Sequence, residues 1–478
     1  MKKLLLLISL LLALTLLVAC GSKNQNPDTE DPDQQGEENK GNDEKEEKKD
    51  PQSSKLNFGF YTISNAAGKF LGSPEDNKKP ITFDAEPKNI SVEEANTWTI
   101  EPKINAKGEL VYVLFCTYDP HGVAEPDKLL PKKGLLRQAY SETNEAQQWI
   151  IIKNEDGTAK LINKKNPMFC LVTNDKGEPV LALTEEAGAE ANWKIEEKTQ
   201  FEQFLTWYSA DRRVIFQLPK NTIEYSGITP ERIQKFVEDT VTIYETYVEF
   251  TDFVTYDHII LKAYETEEHI AYVVSGYMCV TADKDFIVED LKRMAIRSTK
   301  HNVNDCSFMM LHEMGHMFDR GQKWSFEGEA MTDIKAAYVL HANPQFVAAP
   351  SEFEPATYFD ASNITEAYKR LGGSSMNGTA EGYSIYCCAA IFVDIIQNNI
   401  KDWDKVKEMY HWYANNIKDI DPAKWYIENN NLPDETKISD QAARLYMFIG
   451  KLSEYGETNV MALIKEDDFK SMLAKCGG

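Results

Sequence analysis

The sequence has no CxxC pair, no basic stripe to offset its acids and, beyond Val18, no apolar run long enough to cross a bilayer. Each absence removes a class of answer. Without paired cysteines a cysteine-bound zinc site is excluded. The cysteines after Cys20 are Cys116, Cys170, Cys279, Cys306, Cys387, Cys388 and Cys476, an odd set that does not read as a disulfide framework. One bridge stays open, for instance Cys116 to Cys170, and the others are expected as buried small hydrophobes. A formal net charge of -24 argues against a nucleic-acid partner, because phosphates would be repelled. Histidine is scarce, at eight residues. His121, His258, His269, His301, His341 and His411 are scattered without ligand spacing and are expected on the surface or in a satisfied core.

What is present begins with a leader. Lys2 and Lys3 precede the apolar run Leu4 to Val18, too short for a comfortable span and placed like the core of a signal peptide. The run closes Leu17-Val18-Ala19-Cys20-Gly21, which resembles the bacterial lipobox. That resemblance implies removal of 1–19 and a lipid on Cys20, with the membrane touched through this lipid alone. The rest of the chain is then expected outside the cytoplasm, at a bacterial cell surface. Residues 20–54 are acidic, polar and nearly free of apolar side chains, so they are expected to form a disordered tether.

From 55 to 198 the texture is strand-like, turn-rich and without a helical period. A tryptophan-centred strand recurs as Asn96-Thr97-Trp98-Thr99-Ile100, Gln147-Gln148-Trp149-Ile150-Ile151 and Asn192-Trp193-Lys194-Ile195, the tryptophans 51 and 44 residues apart. Three repeats closing on Q/N-x-W-like alternation resemble the ricin-type β-trefoil. The resemblance implies an all-β lobe with tryptophans in a shared core and loops that can hold a sugar. Asp119 and Asn174 become candidate partners of sugar hydroxyls and Tyr118 a candidate stacking platform. The plain alternative is that all three are ordinary turn residues.

Residues 199–478 read as α+β with a mainly helical C-terminal part. Thr229-Pro230-Glu231 opens a helix running to about Val248. Strand-like runs follow at Phe253–Tyr256, His258–Leu261 and Ile270–Val274, and amphipathic helices lie around Asp402–Met409 and Gln441–Leu452. The chemistry lies in His312-Glu313-Met314-Gly315-His316, within active-site helices expected at about 305–340. Positions i and i+4 share a helix face, so both imidazoles can meet one ion. Glu313, one residue on, is placed to act as a general base rather than a ligand. Glu329, thirteen residues after His316, can complete a His₂Glu set on a second helix. Asp333, at i+4 from Glu329, can accept the outer N–H of a ligating histidine. Glu327 is the competing ligand, but it lacks a matching acid four residues on.

This E-x-x-x-D spacing after HExxH resembles the gluzincin family of thermolysin-like metallopeptidases. The metzincin pattern is excluded because Asp319 and Gln322 stand where it requires Gly and His. Trp324-Ser325-Phe326-Glu327-Gly328, Glu329-Ala330-Met331-Thr332-Asp333-Ile334 and the stretch Ile391 to Tyr413 resemble the enhancin-like peptidases, with Asp333 where that family usually has Asn. The resemblance implies a zincin-like domain, one Zn²⁺ on His312, His316 and Glu329, and cleavage of mucins or other glycoproteins with the trefoil as a glycan-targeting lobe. It also implies a tyrosine that stabilises the oxyanion, for which Tyr383 and Tyr386 are candidates, and an edge strand for substrate, for which Val273–Tyr277 is one. The alternative is a lipid-anchored, carbohydrate-binding adhesin with an inactive peptidase-like domain.

Overall fold

The computed structural model describes residues 53–477 apart from 106, 119–121, 224–227, 254–256, 265–270, 274–278, 284–286, 289, 293–303, 319–323, 350–358 and 434–435. The expected leader, Cys20, most of the tether and Asp119 lie outside the described residues. So do 254–256 of the expected strand from Phe253 and 274–277 of the expected substrate strand.

The first lobe contains β1 (Gly59–Ser64), β2 (Leu71–Gly72), β3 (Thr82–Phe83), the single helical turn α1 (Val92–Ala95), β4 (Trp98–Ile104), β5 (Leu110–Cys116) and β6 (Gly122–Pro126). It continues with β7 (Leu135–Ala139), β8 (Gln148–Lys153), β9 (Ala159–Asn163), β10 (Phe169–Thr173), β11 (Pro179–Leu183) and β12 (Lys194–Glu197). Antiparallel pairing runs β12-β1-β4-β5-β8-β9, and a bridge between Ala159 and Trp193 closes the ring. The pairs β2–β3, β6–β7 and β10–β11 form three further hairpins. Six strands in a closed ring with one hairpin per repeat is the strand order of a β-trefoil. The three tryptophans carry the pseudo-symmetry. Trp98, Trp149 and Trp193 are fully buried, and their indole N–H groups donate to the carbonyls of Leu71, Ala124 and Leu171 at 2.8, 3.3 and 2.9 Å. A buried indole needs such a partner, and in each repeat the next layer of strand supplies it.

Four hairpin turns share the sequence Asn-x-x-Gly, at Asn65–Gly68, Asn105–Gly108, Asn154–Gly157 and Asn174–Gly177. The glycines hold φ between +74° and +85°, a conformation in which a Cβ is strained. The Asn174 Oδ1 accepts the N–H groups of Lys176 and Glu178 at 3.0 and 2.8 Å, while its Nδ2 donates to Glu178 Oε2.

The second lobe opens with a sheet of β13 (Phe204–Tyr208), β14 (Val214–Pro219), β15 (Ile259–Tyr264), β16 (Ala271–Val273) and β17 (Cys279–Asp283), in the order β13-β14-β15-β17-β16. β14, β15 and β17 are parallel to their neighbours in that trio, and the outer strands β13 and β16 pair antiparallel. The helix α2 (Pro230–Thr251) connects β14 to β15; Thr229 caps it and Pro230 sits at its first turn, as its sequence predicts. Then follow β18 (Asn304–Ser307), α3 (Phe308–His316), α4 (Gly328–Ala342) and β19 (Phe346–Ala349), with β18 and β19 paired in parallel. Among the described residues the lobe continues with the helices α5 (Ile364–Gly372), α6 (Ile385–Ile395), α7 (Trp403–Asn416), α8 (Pro422–Asn429) and α9 (Asp440–Tyr455). A last helix, α10 (Glu466–Lys475), follows them. No helix among the described residues is long and apolar enough to cross a membrane.

The two lobes share a core. Along β5, Tyr112, Leu114 and Cys116 face the trefoil interior while Val113 and Phe115 face the second lobe, the alternation a strand imposes. Phe58, Phe60 and Val123 join that second face and pack in one cluster with Phe201 and the β14 residues Val214 to Phe216. Polar contacts cross the join: Lys262 Nζ lies 3.1 Å from Glu94, and the Glu202 N–H donates to Glu93 Oε2 at 2.9 Å. His258 stacks on Phe58 at 4.4 Å, and burial lowers its pKa to about 4. Burial also pushes Glu101, fully enclosed beside Lys103, up to about 7.

One pairing left open by the sequence is corrected here. Cys116 and Cys170 are free and buried. The Cys116 Sγ lies 2.8 Å from Ser73 Oγ in the trefoil core, while Cys170 belongs to a separate apolar cluster.

Candidate metal centre

The centre is built where α3 crosses α4. Ser307 starts α3 by accepting the N–H of Met310 at 3.2 Å, and Tyr247 of α2 donates to the Leu311 carbonyl at 2.6 Å. These contacts fix the helix that carries both histidines. The crossing is close because residue 315 is glycine. A Cβ there would meet Thr332 Cγ2 at 2.7 Å and Tyr247 Oη at 3.3 Å. α4 is buried without a break from Ala330 to Leu340, so Thr332, Asp333 and Lys335 enter the core with the apolar residues.

At the crossing, one ligand atom from each of His312, His316 and Glu329 lies within 4.8 Å of the other two. The two Nε2 atoms are 3.2 Å apart, and Glu329 Oε2 lies 2.9 Å from His312 Nε2 and 3.5 Å from His316 Nε2. The outer ring atoms are also held. His312 Nδ1 lies 2.8 Å from Asp333 Oδ1, and His316 Nδ1 lies 3.1 Å from Thr332 Oγ1. A proton on each Nδ1, donated outward, leaves both Nε2 lone pairs facing Glu329, the tautomer a metal requires.

The charges agree with this donor set. Two neutral imidazoles with the carboxylates of Glu329 and Asp333 carry a formal charge of about minus two, which one divalent cation neutralises. The titration of the centre expresses the same excess. Burial opposes a charged His312, yet Asp333 and Glu329 outweigh it and hold its pKa well above the ordinary value. Burial likewise opposes a charged Glu329, but its bonds to His312 and His316 keep it well below the usual carboxylate range. Burial raises Asp333, whose Oδ2 is fully enclosed without a hydrogen-bond partner. The group fits a metal ion on geometry, tautomer and charge.

The other expected site residues fall as follows. Glu313 is half-buried on α3, one residue beyond His312. Glu327 takes a different position from Glu329: it caps α4, accepting the Ala330 N–H at 2.7 Å. The Tyr383 hydroxyl donates to Glu327 Oε2 at 3.1 Å, and Tyr386 stacks on Tyr368 at 6.0 Å among core residues. Among the described residues β16 stands at the edge of its sheet, beside α3, and ends at Val273. In the trefoil, Tyr118 is half-buried. Its hydroxyl donates to the Pro74 carbonyl and the Arg137 guanidinium lies 5.3 Å from its ring centre. Asn174 has its side chain committed to its own turn, the plain role. Sequence reasoning missed Thr332 and the close approach at Gly315. Both were signalled: Thr332 is one residue before Asp333 and so faces the neighbouring histidine, and a glycine between paired histidines marks a tight helix crossing.

No family model matches the chain, and no curated protein matches it. Solved structures match in part. The designed three-fold symmetric protein ThreeFoil is 15% identical, with 29% of this chain and 99% of that one covered and a TM-score of 0.25. The BEL β-trefoil is 9% identical over 31% of this chain and 99% of its own, with a TM-score of 0.25. A Culex salivary protein of the cysteine- and tryptophan-rich family is 18% identical over 31% and 99%, with a TM-score of 0.24.

Proposed function

We propose that the chain is a zinc-dependent endopeptidase of the gluzincin type, held at a bacterial surface by a lipid on Cys20. We propose glycoproteins such as mucins as its substrates, brought close by glycan contacts of the trefoil. The observation that carries the reading is the convergence of His312, His316 and Glu329, with Asp333 and Thr332 holding the outer ring nitrogens.

His312, His316 and Glu329 would hold the ion, a two-nitrogen, one-oxygen set that suits zinc and leaves a coordination position open. When bound, zinc supplies Lewis-acid polarisation of the scissile carbonyl and makes water a stronger nucleophile near neutral pH. The chain's own residues do the rest. Glu313 takes a proton from the attacking water as its oxygen bonds to the carbonyl carbon, and then gives that proton to the amine nitrogen as the carbon–nitrogen bond breaks. Asp333 and Thr332 keep both imidazoles oriented through the cycle. β16 offers an edge to which a substrate backbone can pair. A trefoil fixed rigidly to the peptidase lobe raises the local concentration of any substrate whose glycans it binds.

The test uses the purified chain and its Glu313→Gln variant on mucin with and without its sugars. The reading expects one zinc per chain in both proteins, new N-termini only with the parent, and slower release from the stripped substrate. Equal proteolysis by parent and variant overturns the general-base assignment. Zinc without proteolysis in the parent, with mucin retained, makes the chain an adhesin instead.

A further inference from the structure

We infer that Glu327 and Tyr383 form a brace that sets the position of Glu329, and that Glu327 is a positioning residue and not a ligand. The inference rests on the metal reading above and deepens it. Two acids stand one residue apart at the start of α4, and sequence alone leaves either as the third ligand. The structure separates them. The Glu327 backbone is extended, with φ -156° and ψ 116°, outside the helix, and its carboxylate folds back over the first turn. The Oε2 atom takes two hydrogen bonds, from the Ala330 N–H at 2.7 Å and from the Tyr383 hydroxyl at 3.1 Å. Among the described residues, only His312, His316 and Glu329 bring ligand atoms within 4.8 Å of one another. Glu329 is the second residue of the turn that Glu327 caps.

The brace is itself anchored. Upstream, Phe326 packs against Phe392 and Phe448, and the Ser325 carbonyl accepts from Arg444 at 3.3 Å. On the other side, the loop that delivers Tyr383 is tied to α10. Asp468 accepts the Met376 N–H at 2.6 Å, and Ser471 Oγ accepts the Gly378 N–H at 2.8 Å. Hydrogen bonds and packing therefore run from the last helix, through Tyr383 and Glu327, to the turn that presents Glu329. A Glu at a helix N-cap is an uncommon choice, since shorter acceptors serve better. Its added reach is what lets one carboxylate serve the cap and the Tyr383 hydroxyl together.

The experiment measures zinc affinity of the full chain by competition with a chelating dye, with melting temperature as a check on folding. Glu327→Gln keeps an acceptor of the same length and is expected to bind zinc within about threefold of the parent. Glu327→Leu, which removes both bonds, is expected to weaken zinc about ten- to a hundredfold, and Tyr383→Phe by a smaller factor in the same direction. Glu329→Gln is expected to abolish tight binding. Loss of zinc in Glu327→Gln as complete as in Glu329→Gln overturns the inference by making Glu327 a ligand. Parental affinity in both Tyr383→Phe and Glu327→Leu overturns it by removing the brace. Parental affinity in Glu329→Gln overturns the metal reading itself, a failure distinct from the other two.

Discussion

The trefoil turns and the α3–α4 crossing use polar side chains in opposite ways. In three of the turns, those of Asn65, Asn105 and Asn174, the Asn side chain bonds to backbone within four residues of itself, so its polarity is explained locally. At the crossing the polar side chains belong to residues sixteen to twenty-one positions apart, and they meet each other rather than any turn. A buried polar group without a local backbone to serve must have another partner, because leaving it unsatisfied costs about 1–3 kcal/mol. At this crossing the partners present a concentrated negative charge, and that excess points to a cation. Tyr118 falls between the two cases, its hydroxyl serving the backbone carbonyl of Pro74, forty-four residues away in the chain.

This contrast can be broken in order of expected effect. His312→Ala should reduce bound zinc from one per chain to a trace and lower proteolysis by at least about a thousandfold, read by metal analysis and peptide release. Gly315→Ala should come next. A helical alanine gains about 1 kcal/mol of propensity, yet here its methyl meets Thr332 and separates the helices, so zinc affinity should fall at least tenfold. Thr332→Val keeps the shape but loses the bond to His316, and about a tenfold loss of affinity is expected with little change in melting temperature.

A smaller effect concerns the join between the lobes. His258 is neutral in the folded protein down to about pH 4, held so first by burial, with Arg213 and Lys103 acting in the same direction and Asp257 and Asp211 opposing them, and with Glu101 4.0 Å from its Nδ1. Its folded pKa is depressed, so the unfolded chain binds the extra proton and stability falls as pH drops from about 6.5 to 4. The loss is roughly 2 kcal/mol after allowing for partial exposure, and His258→Phe should flatten that slope in denaturant titrations. The smallest effect belongs to the turns. Asn174→Ala should cost about 1 kcal/mol of stability and leave zinc binding unchanged. A change in metal affinity there, or its absence in Thr332→Val, would dissolve the contrast between the two kinds of polar cluster.

Much of this arrangement was legible before any coordinates. The tryptophan spacing marked three strand repeats because an indole fixed in a shared core must recur with the repeat. Helix periodicity placed His312 and His316 on one face, and the i+4 step put Asp333 beside Glu329. Other features depended on long-range geometry. The choice between Glu327 and Glu329 turns on which carboxylate the helix start needs as its cap, and neighbouring letters do not show that. The Cys116–Cys170 pairing was an open guess because disulfide partners depend on which layer each strand face meets. The contacts of Tyr118, a candidate stacking platform from the sequence, were not legible because nothing in its vicinity in the chain announces Pro74 or Arg137.

The double-sided burial of β1 and β5 has a practical consequence. Cutting the chain after Lys198 would not release two independent modules. The barrel would show water a bare patch of Phe58, Phe60, Val113, Phe115 and Val123, and the second lobe would lose the floor beneath β14. Each fragment alone should be sticky and prone to aggregate, whereas the intact pair should melt in a single transition.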